Sequence, residues 1–232
     1  DKKRAKIFSR LGREISVAVK EGGPDPEKNI RLRSAVGSAK SLNMPKDNIE
    51  RAIKKGEGND PDSNYEEVRY EGYGPDGVAI IVEALTNNKN RTAAEVRSTF
   101  SKYGGNLGET GSVSFGFKRL GNITLNKIGI KEEELFDFII ENGSEDYEAN
   151  EDEYNIYCDQ KILHELNQKI IEKFGPTSFT GLIWKSENDI SVSKEKADIL
   201  FKLLNMLEEN EDVQVISSNF EVSDDVLTSL TA

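Results

Sequence analysis

The chain has 232 residues, of which 36% are hydrophobic and 31% charged, and its formal net charge is −11. That mix supports small cores under a large solvated surface, and the length exceeds one typical domain, so two or three compact units are expected. No apolar run approaches the roughly 18 residues of a membrane helix, and a single cysteine, Cys158, excludes an internal disulfide, so a reducing compartment is expected, the cytoplasm or else an organelle matrix.

Residues 1–60 carry fifteen Lys or Arg against nine Asp or Glu, a net of +6, which leaves −17 for the remainder. A basic segment is drawn to a polyanion that an acidic body repels, which predicts an oriented binder rather than a uniformly basic coat. The first segment reads as a helix. At about 100° per residue, Ile7, Leu11, Ile15 and Ala18 share one face, while Lys2, Lys6, Arg10, Arg13 and Lys20 gather opposite. Gly22-Gly23-Pro24 ends it, and Asp25 with Pro26 supplies a cap and a first-turn proline for a second helix to about Leu42. Pro45 opens a third, with Ile49, Ala52 and Ile53 inward, Lys54 and Lys55 in its last turn and Gly56 as its stop. Cations placed there complement the helix dipole whether or not they touch a ligand. Three helices with short turns predict a small bundle. The chain begins at Asp1, without methionine and inside this first helix, which predicts further residues upstream.

Residues 56–64 read as a linker rich in Gly, Asp, Pro and Asn, after which the hydrophobic period changes. Strands are expected over Val68 to Tyr73 and Val78 to Leu85, around the turn Gly74-Pro75-Asp76-Gly77. A helix over Thr92 to Tyr103, with Ala93, Val96 and Phe100 inward, leads through Gly104 to Gly108 into a strand, Ser112 to Phe117, whose Val113, Phe115 and Phe117 alternate. Helix Glu132 to Glu141, strands near Tyr147 and over Tyr154 to Cys158, helix Lys161 to Phe174 and strand Ser178 to Trp184 follow. Helix Lys194 to Glu209 and strand Val213 to Ser217 close the series. These elements predict an α+β multidomain fold: an N-terminal three-helix bundle followed by two ferredoxin-like α+β domains. The last helix and strand lack partners of their own and can complete the module begun at Tyr65, with the middle module inserted in it. The boundaries are then 1–58, 59–126 plus 187–232, and 127–186; a serial arrangement remains the alternative.

Gly72-Tyr-Gly74-Pro-Asp-Gly77 matches the letters of a dinucleotide fingerprint, yet it leads into the β-rich run Val78 to Val82 rather than a helix, so a hairpin turn is the expected structure. Gly104, Gly105, Gly108 and Gly111 lead from helix to strand, the reverse of a phosphate cradle. A P-loop and a nucleophile elbow are both missing from the sequence. The one histidine, His164, lies in a predicted helix far in sequence from Cys158, which leaves no zinc set. The runs Glu132-Glu133-Glu134 and Glu151-Asp152-Glu153 read as solvated faces. No nucleophile, base and orienting group assemble, so a non-enzyme without metal or cofactor is expected. The basic stripe is the remaining signal, and such contacts hold a phosphate backbone without reading bases.

Asn43-Met-Pro-Lys-Asp-Asn-Ile-Glu-Arg-Ala-Ile-Lys-Lys-Gly56, Tyr70-Glu-Gly-Tyr-Gly-Pro-Asp-Gly-Val-Ala79, Asn90-Arg-Thr-Ala-Ala-Glu-Val-Arg97, Gly104-Gly-Asn-Leu-Gly108 and Gly111-Ser-Val113 together closely resemble the YebC family. Met206-Leu-Glu-Glu-Asn-Glu-Asp-Val-Gln214 extends the resemblance over essentially the whole chain. It implies a non-enzymatic cytosolic protein of three domains, described as a DNA-binding transcriptional regulator; the alternative is a ribosome-associated translational activator that binds ribosomal RNA. The family's opening basic stretch, of the Gly-His-Ser-Lys-Trp type, is missing here. The residues expected to touch nucleic acid are Lys2, Lys6, Arg10, Arg13, Lys46, Arg51, Lys54, Lys55 and Arg91. A monomer is expected, with DNA or ribosomal RNA as partner, the ribosome among the assemblies considered, and no membrane.

Overall fold

The computed structural model describes residues 1–231, with side chains described as far as Thr228. Helix α1 (Lys2–Gly22) buries Ile15, Ser16, Val17, Ala18 and Val19 and stops at Gly23, whose φ of 90° suits a residue without Cβ. Helices α2 (Ile30–Ser41) and α3 (Lys46–Glu57) complete the helical segment. Strands β1 (Glu66–Tyr73) and β2 (Ala79–Thr86), helix α4 (Lys89–Lys102), the short strand β3 (Asn106–Leu107) and the long strand β4 (Phe117–Asn126) follow. Then come α5 (Glu132–Glu141), β5 (Ser144–Ala149), β6 (Glu153–Cys158), α6 (Leu163–Phe174) and β7 (Phe179–Ser186). The chain ends with β8 (Ile190–Ser191), α7 (Lys194–Glu209), β9 (Val213–Ser218), β10 (Phe220–Glu221) and α8 (Asp224–Thr231). Among the described residues no helix is long and apolar enough to cross a membrane.

The chain forms two compact units, residues 1–63 with 119–183 and residues 64–118 with 184–232. In the first, the helical segment closes on Ile15, Leu32, Ala35, Ala39 and Ile49. The α1–α3 contact is close: a Cβ on Gly56 would lie 2.5 Å from the Ser16 carbonyl oxygen and 2.7 Å from Val19 Cβ. The Ser16 hydroxyl donates to the Ala52 carbonyl at 2.8 Å, which satisfies a buried polar group inside that contact. The second helix begins four residues later than Asp25 and Pro26 suggest. Asn29 is its cap, accepting from the Leu32 amide at 3.0 Å while its own amide donates to the Ala18 and Gly23 carbonyls at 2.7 and 2.9 Å. A buried side chain that ties two helices together outcompetes an exposed cap at Asp25.

The same unit contains β4-α5-β5-β6-α6-β7, with sheet order β5-β6-β4-β7, the connectivity of a ferredoxin-like module. Its core includes Ile123, Leu135, Ile139, Ile156, Leu166 and Ile170. Cys158 is buried in it, and burial, aided by Asp159 and Glu145, pushes its thiol up to about 11. Native protein is therefore expected to resist iodoacetamide at pH 8, reacting roughly a hundredfold slower than a free thiol because so little thiolate is present. Mass spectrometry before and after urea unfolding checks this.

In the second unit β1 and β2 form the antiparallel hairpin that the glycine fingerprint resembles only in letters, and the sheet order is β3-β1-β2-β9. Asp76, at φ 59°, makes the turn, and the Gly74 amide donates to the Val78 carbonyl at 2.8 Å. Helices α4 and α7 cover one face over Ile80, Val82, Phe100, Leu200 and Leu203. Ala79, Ile81, Val113 and Phe117 pack with Trp184 as a second cluster. Strand β2 is thus covered on both faces, which is why it reads as a continuous apolar run rather than an alternation. The expected strand Ser112 to Phe117 is not one. Its centre is a 3-10 turn, Ser114–Gly116, and the ladder begins only at Phe117, leaving Phe115 79% exposed.

Candidate nucleic-acid interface

Helices α1 and α3 run in the same direction. The Arg4 guanidinium donates to the Asn43 carbonyl at 3.4 Å, and the methyl of Met44 lies 4.0 Å from where a Gly12 Cβ would stand. Further along, Ser16 meets Ala52 and Gly56. Lys2, Lys6, Arg10 and Arg13 span about 80° of α1 at the helical repeat, and all four reach solvent, Lys2 exposed and the others half-buried. This register sets exposed Lys46 within the length of α1 that the stripe spans. Exposed Lys54 and Lys55 lie at the other end of α3, level with Val19 and Lys20 of α1. Lys46 pairs with Glu50 at 3.6 Å, and Arg51 donates to Asn48 Oδ1 at 2.9 Å; both are exposed, low-cost contacts that a phosphate can displace. Arg31 does not add to the basic face. It makes a bidentate pair with Glu14 at 2.7 and 3.1 Å and a second bond to Glu21 at 2.7 Å.

Arg91 has a different setting. It follows the α4 cap Asn88, which accepts the Arg91 amide, and its guanidinium donates to buried Asp212 at 2.9 Å and to Asn87 at 3.2 Å. Asp212 also accepts from the Thr92 hydroxyl at 2.7 Å, and its backbone joins the Leu85 amide. Arg91 is thus a structural clamp joining the start of α4 to the turn before β9. Arg91→Ala is expected to lower the stability of the protein by about 1–3 kcal/mol, by depriving a buried carboxylate of its cation, while nucleic-acid affinity stays within about twofold. A thermal melt paired with a filter-binding titration separates the two effects.

Glu71 belongs to no candidate site in the sequence. This β1 carboxylate is fully buried, and it accepts from the amides of Gly111 at 2.6 Å, Ser114 at 2.7 Å and Val113 at 3.3 Å. Arg69 adds a charged donor at 3.1 Å and stacks its guanidinium 4.9 Å from the Trp184 ring centroid. Burial opposes the charge, but the amides of Gly111, Ser114 and Val113 and the Ser114 hydroxyl outweigh it and hold the carboxyl below its ordinary range. Two of these amides, those of Val113 and Ser114, lie within the expected strand Ser112 to Phe117 and are lost to its ladder. The carboxylate takes them instead, and the loop projects Phe115. The clue in the sequence was an acidic residue inside the apolar strand pattern of Tyr70 and Gly72, with a glycine-rich loop to receive it.

His164, at the start of α6, shares a 2.9 Å hydrogen bond with the Ser34 hydroxyl of α2. Burial and then the Arg31 charge keep its ring below the usual histidine range, against the pull of Glu14. It joins two helices of one unit. Among the described residues no group of three or more His, Cys, Asp or Glu is placed to hold a metal ion.

Two family models match the chain. One, described as the TACO1/YebC protein N-terminal domain, covers residues 1–59, and one described as the TACO1/YebC second and third domain covers residues 65–220. The crystal structure of a conserved hypothetical protein, Aq1575 from Aquifex aeolicus, is similar at 45% identity and a TM-score of 0.91, over 98% of this chain and 94% of that chain.

Proposed function

We propose, because the chain belongs to the TACO1/YebC family, that it is a non-enzymatic regulator of gene expression that docks on nucleic acid through its basic N-terminal helices. The observation that carries this reading is the row Lys2, Lys6, Arg10 and Arg13 on α1, which reaches solvent, with exposed Lys46 within the same span on α3, on a segment of net charge +6 attached to a body of −17. Such a row neutralises consecutive phosphates and releases their counterions. In the first reading the polymer is duplex DNA and the protein is a transcriptional regulator. It works as a cytoplasmic monomer without cofactor.

A second reading, a translation factor docked on ribosomal RNA, is favoured by the acidic body. A −17 remainder repels any polyanion that surrounds it, whereas an RNA–protein assembly offers cationic protein surface as well. Sequencing of DNA and RNA crosslinked to the protein in cells decides between them. Enrichment at promoters supports the first and enrichment of ribosomal RNA the second; no enrichment of either polymer rejects docking on nucleic acid.

A further inference from the structure

The acidity of the body is concentrated. Residues 132–160, from α5 through β5 and β6, hold twelve Asp or Glu and no Lys, Arg or His. Within this stretch α5 turns Leu135 and Ile139 into the core, both fully buried, yet leaves Phe136 and Ile140 43% and 46% exposed at i,i+4 spacing. Phe136 lies 5.7 Å, ring centroid to centroid, from half-buried Tyr147 of β5, whose hydroxyl donates to Glu132 at 2.9 Å. Strand β5 is the edge of its sheet. A half-exposed apolar helix face therefore runs beside a sheet-edge strand in an acidic stretch of the chain.

We infer that this α5–β5 face docks a cationic polypeptide segment of another protein, with apolar side chains set on Phe136, Ile140 and Tyr147 and Lys or Arg among the surrounding carboxylates. The charge selects the occupant. Nucleic acid and anionic lipid are repelled by the carboxylates of this stretch, even with Glu134 paired to Lys173 at 3.6 Å, and so is the same face of a second copy, because isologous pairing brings two equally acidic patches together. Charged residues on an edge strand also discourage self-pairing, but that role does not require Phe136 and Ile140 on the neighbouring helix to face water. A cationic segment with apolar anchors meets both features, in the helix-in-groove or added-strand manner. The carboxylates speed encounter and the apolar anchors slow release. This surface lies apart in sequence from the basic face of α1, so its occupancy does not depend on which nucleic acid that face takes.

The test uses the full chain and a fluorescein-labelled 18-residue peptide of Lys and Leu at helical spacing, titrated by anisotropy in about 0.15 M salt, where surface attraction reaches only ~8 Å. Phe136→Ser with Ile140→Ser is expected to weaken binding at least tenfold while the circular-dichroism melt is unchanged. Asp137→Asn with Glu141→Gln, which keeps the apolar face, is expected to weaken it several-fold and flatten its salt dependence. A peptide with Leu replaced by Ser should not bind. Equal affinity of the wild-type chain and the Phe136→Ser/Ile140→Ser variant, or equal affinity for the Leu and Ser peptides, overturns the inference, since binding is then diffuse attraction. Self-association in sedimentation that this apolar variant abolishes also overturns it, because the occupant is then a second copy.

Discussion

Replacing Glu71 with alanine is expected to destabilise the protein by about 3–5 kcal/mol, the range for removing one partner from a buried charged network. The three amides of Gly111, Val113 and Ser114 would lose their acceptor, and Arg69 would keep its stacking on Trp184 but lose its carboxylate. Glu71→Gln keeps the shape but turns a donor toward amides that are already donors, so it is expected to recover only part of the loss. Glu109→Ala, in the same loop but exposed, should change stability by less than about 0.5 kcal/mol. Urea unfolding monitored by Trp184 fluorescence measures all three variants. Limited proteolysis should also show cleavage between Gly104 and Phe117 in Glu71→Ala before global unfolding, because the ties that order this loop are gone.

The pH dependence of the same group has a definite sign. The folded carboxyl lies below its ordinary value of 4.5, so its stabilisation is fully present above that value. It is lost as pH falls through the depressed folded value, since the unfolded chain takes up the proton first. The acid limb of wild-type stability should accordingly be steeper than that of Glu71→Gln. Parallel acid limbs would assign the loop's order to packing of Val113 and Phe117 alone.

How much was legible in the sequence follows from what each element depends on. Helices α5 and α7 appear where the pattern puts them, Glu132–Glu141 and Lys194–Glu209, because their amphipathic period and flanking turns are local. The start of α2 was misplaced because Asn29 gains its advantage from Ala18 and Gly23, contacts that lie across a turn. The strand over Ser112 to Phe117 failed for the same kind of reason. Glu71 reaches about forty residues along the chain to take the amides of Gly111, Val113 and Ser114, and the alternation of Val113, Phe115 and Phe117 itself holds no sign of that competitor. Among the candidate contacts, the α1 stripe was visible as a helical period. The structural use of Arg91 was not, since its partner Asp212 is supplied by a turn 121 residues away.

Reversing two charges of the α1 stripe, Lys6→Glu with Arg10→Glu, is expected to lower nucleic-acid affinity by roughly two orders of magnitude in 0.1 M salt. Each lost phosphate contact removes about 0.9 from the slope of log affinity against log salt, and at 0.1 M it removes about 0.9 log units of affinity. Two contacts give roughly 60-fold, and the introduced carboxylates add repulsion. The fold should persist, because both positions reach solvent and the helix is anchored further along by Ile15, Ala18 and Val19. The comparison that sharpens the test is Lys54→Glu with Lys55→Glu. These cations close α3 at the end remote from Lys46. If they act only on the helix dipole, reversal costs ~1 kcal/mol or less of stability and leaves the salt slope unchanged. If they belong to the interface, the slope falls by about as much as it does for the α1 pair. Filter binding across a salt series, with duplex DNA and a ribosomal RNA fragment in parallel, reads both variants. An unchanged slope for Lys6→Glu/Arg10→Glu on both polymers would remove the stripe from the interface and leave the charge sorting of this chain without its proposed purpose.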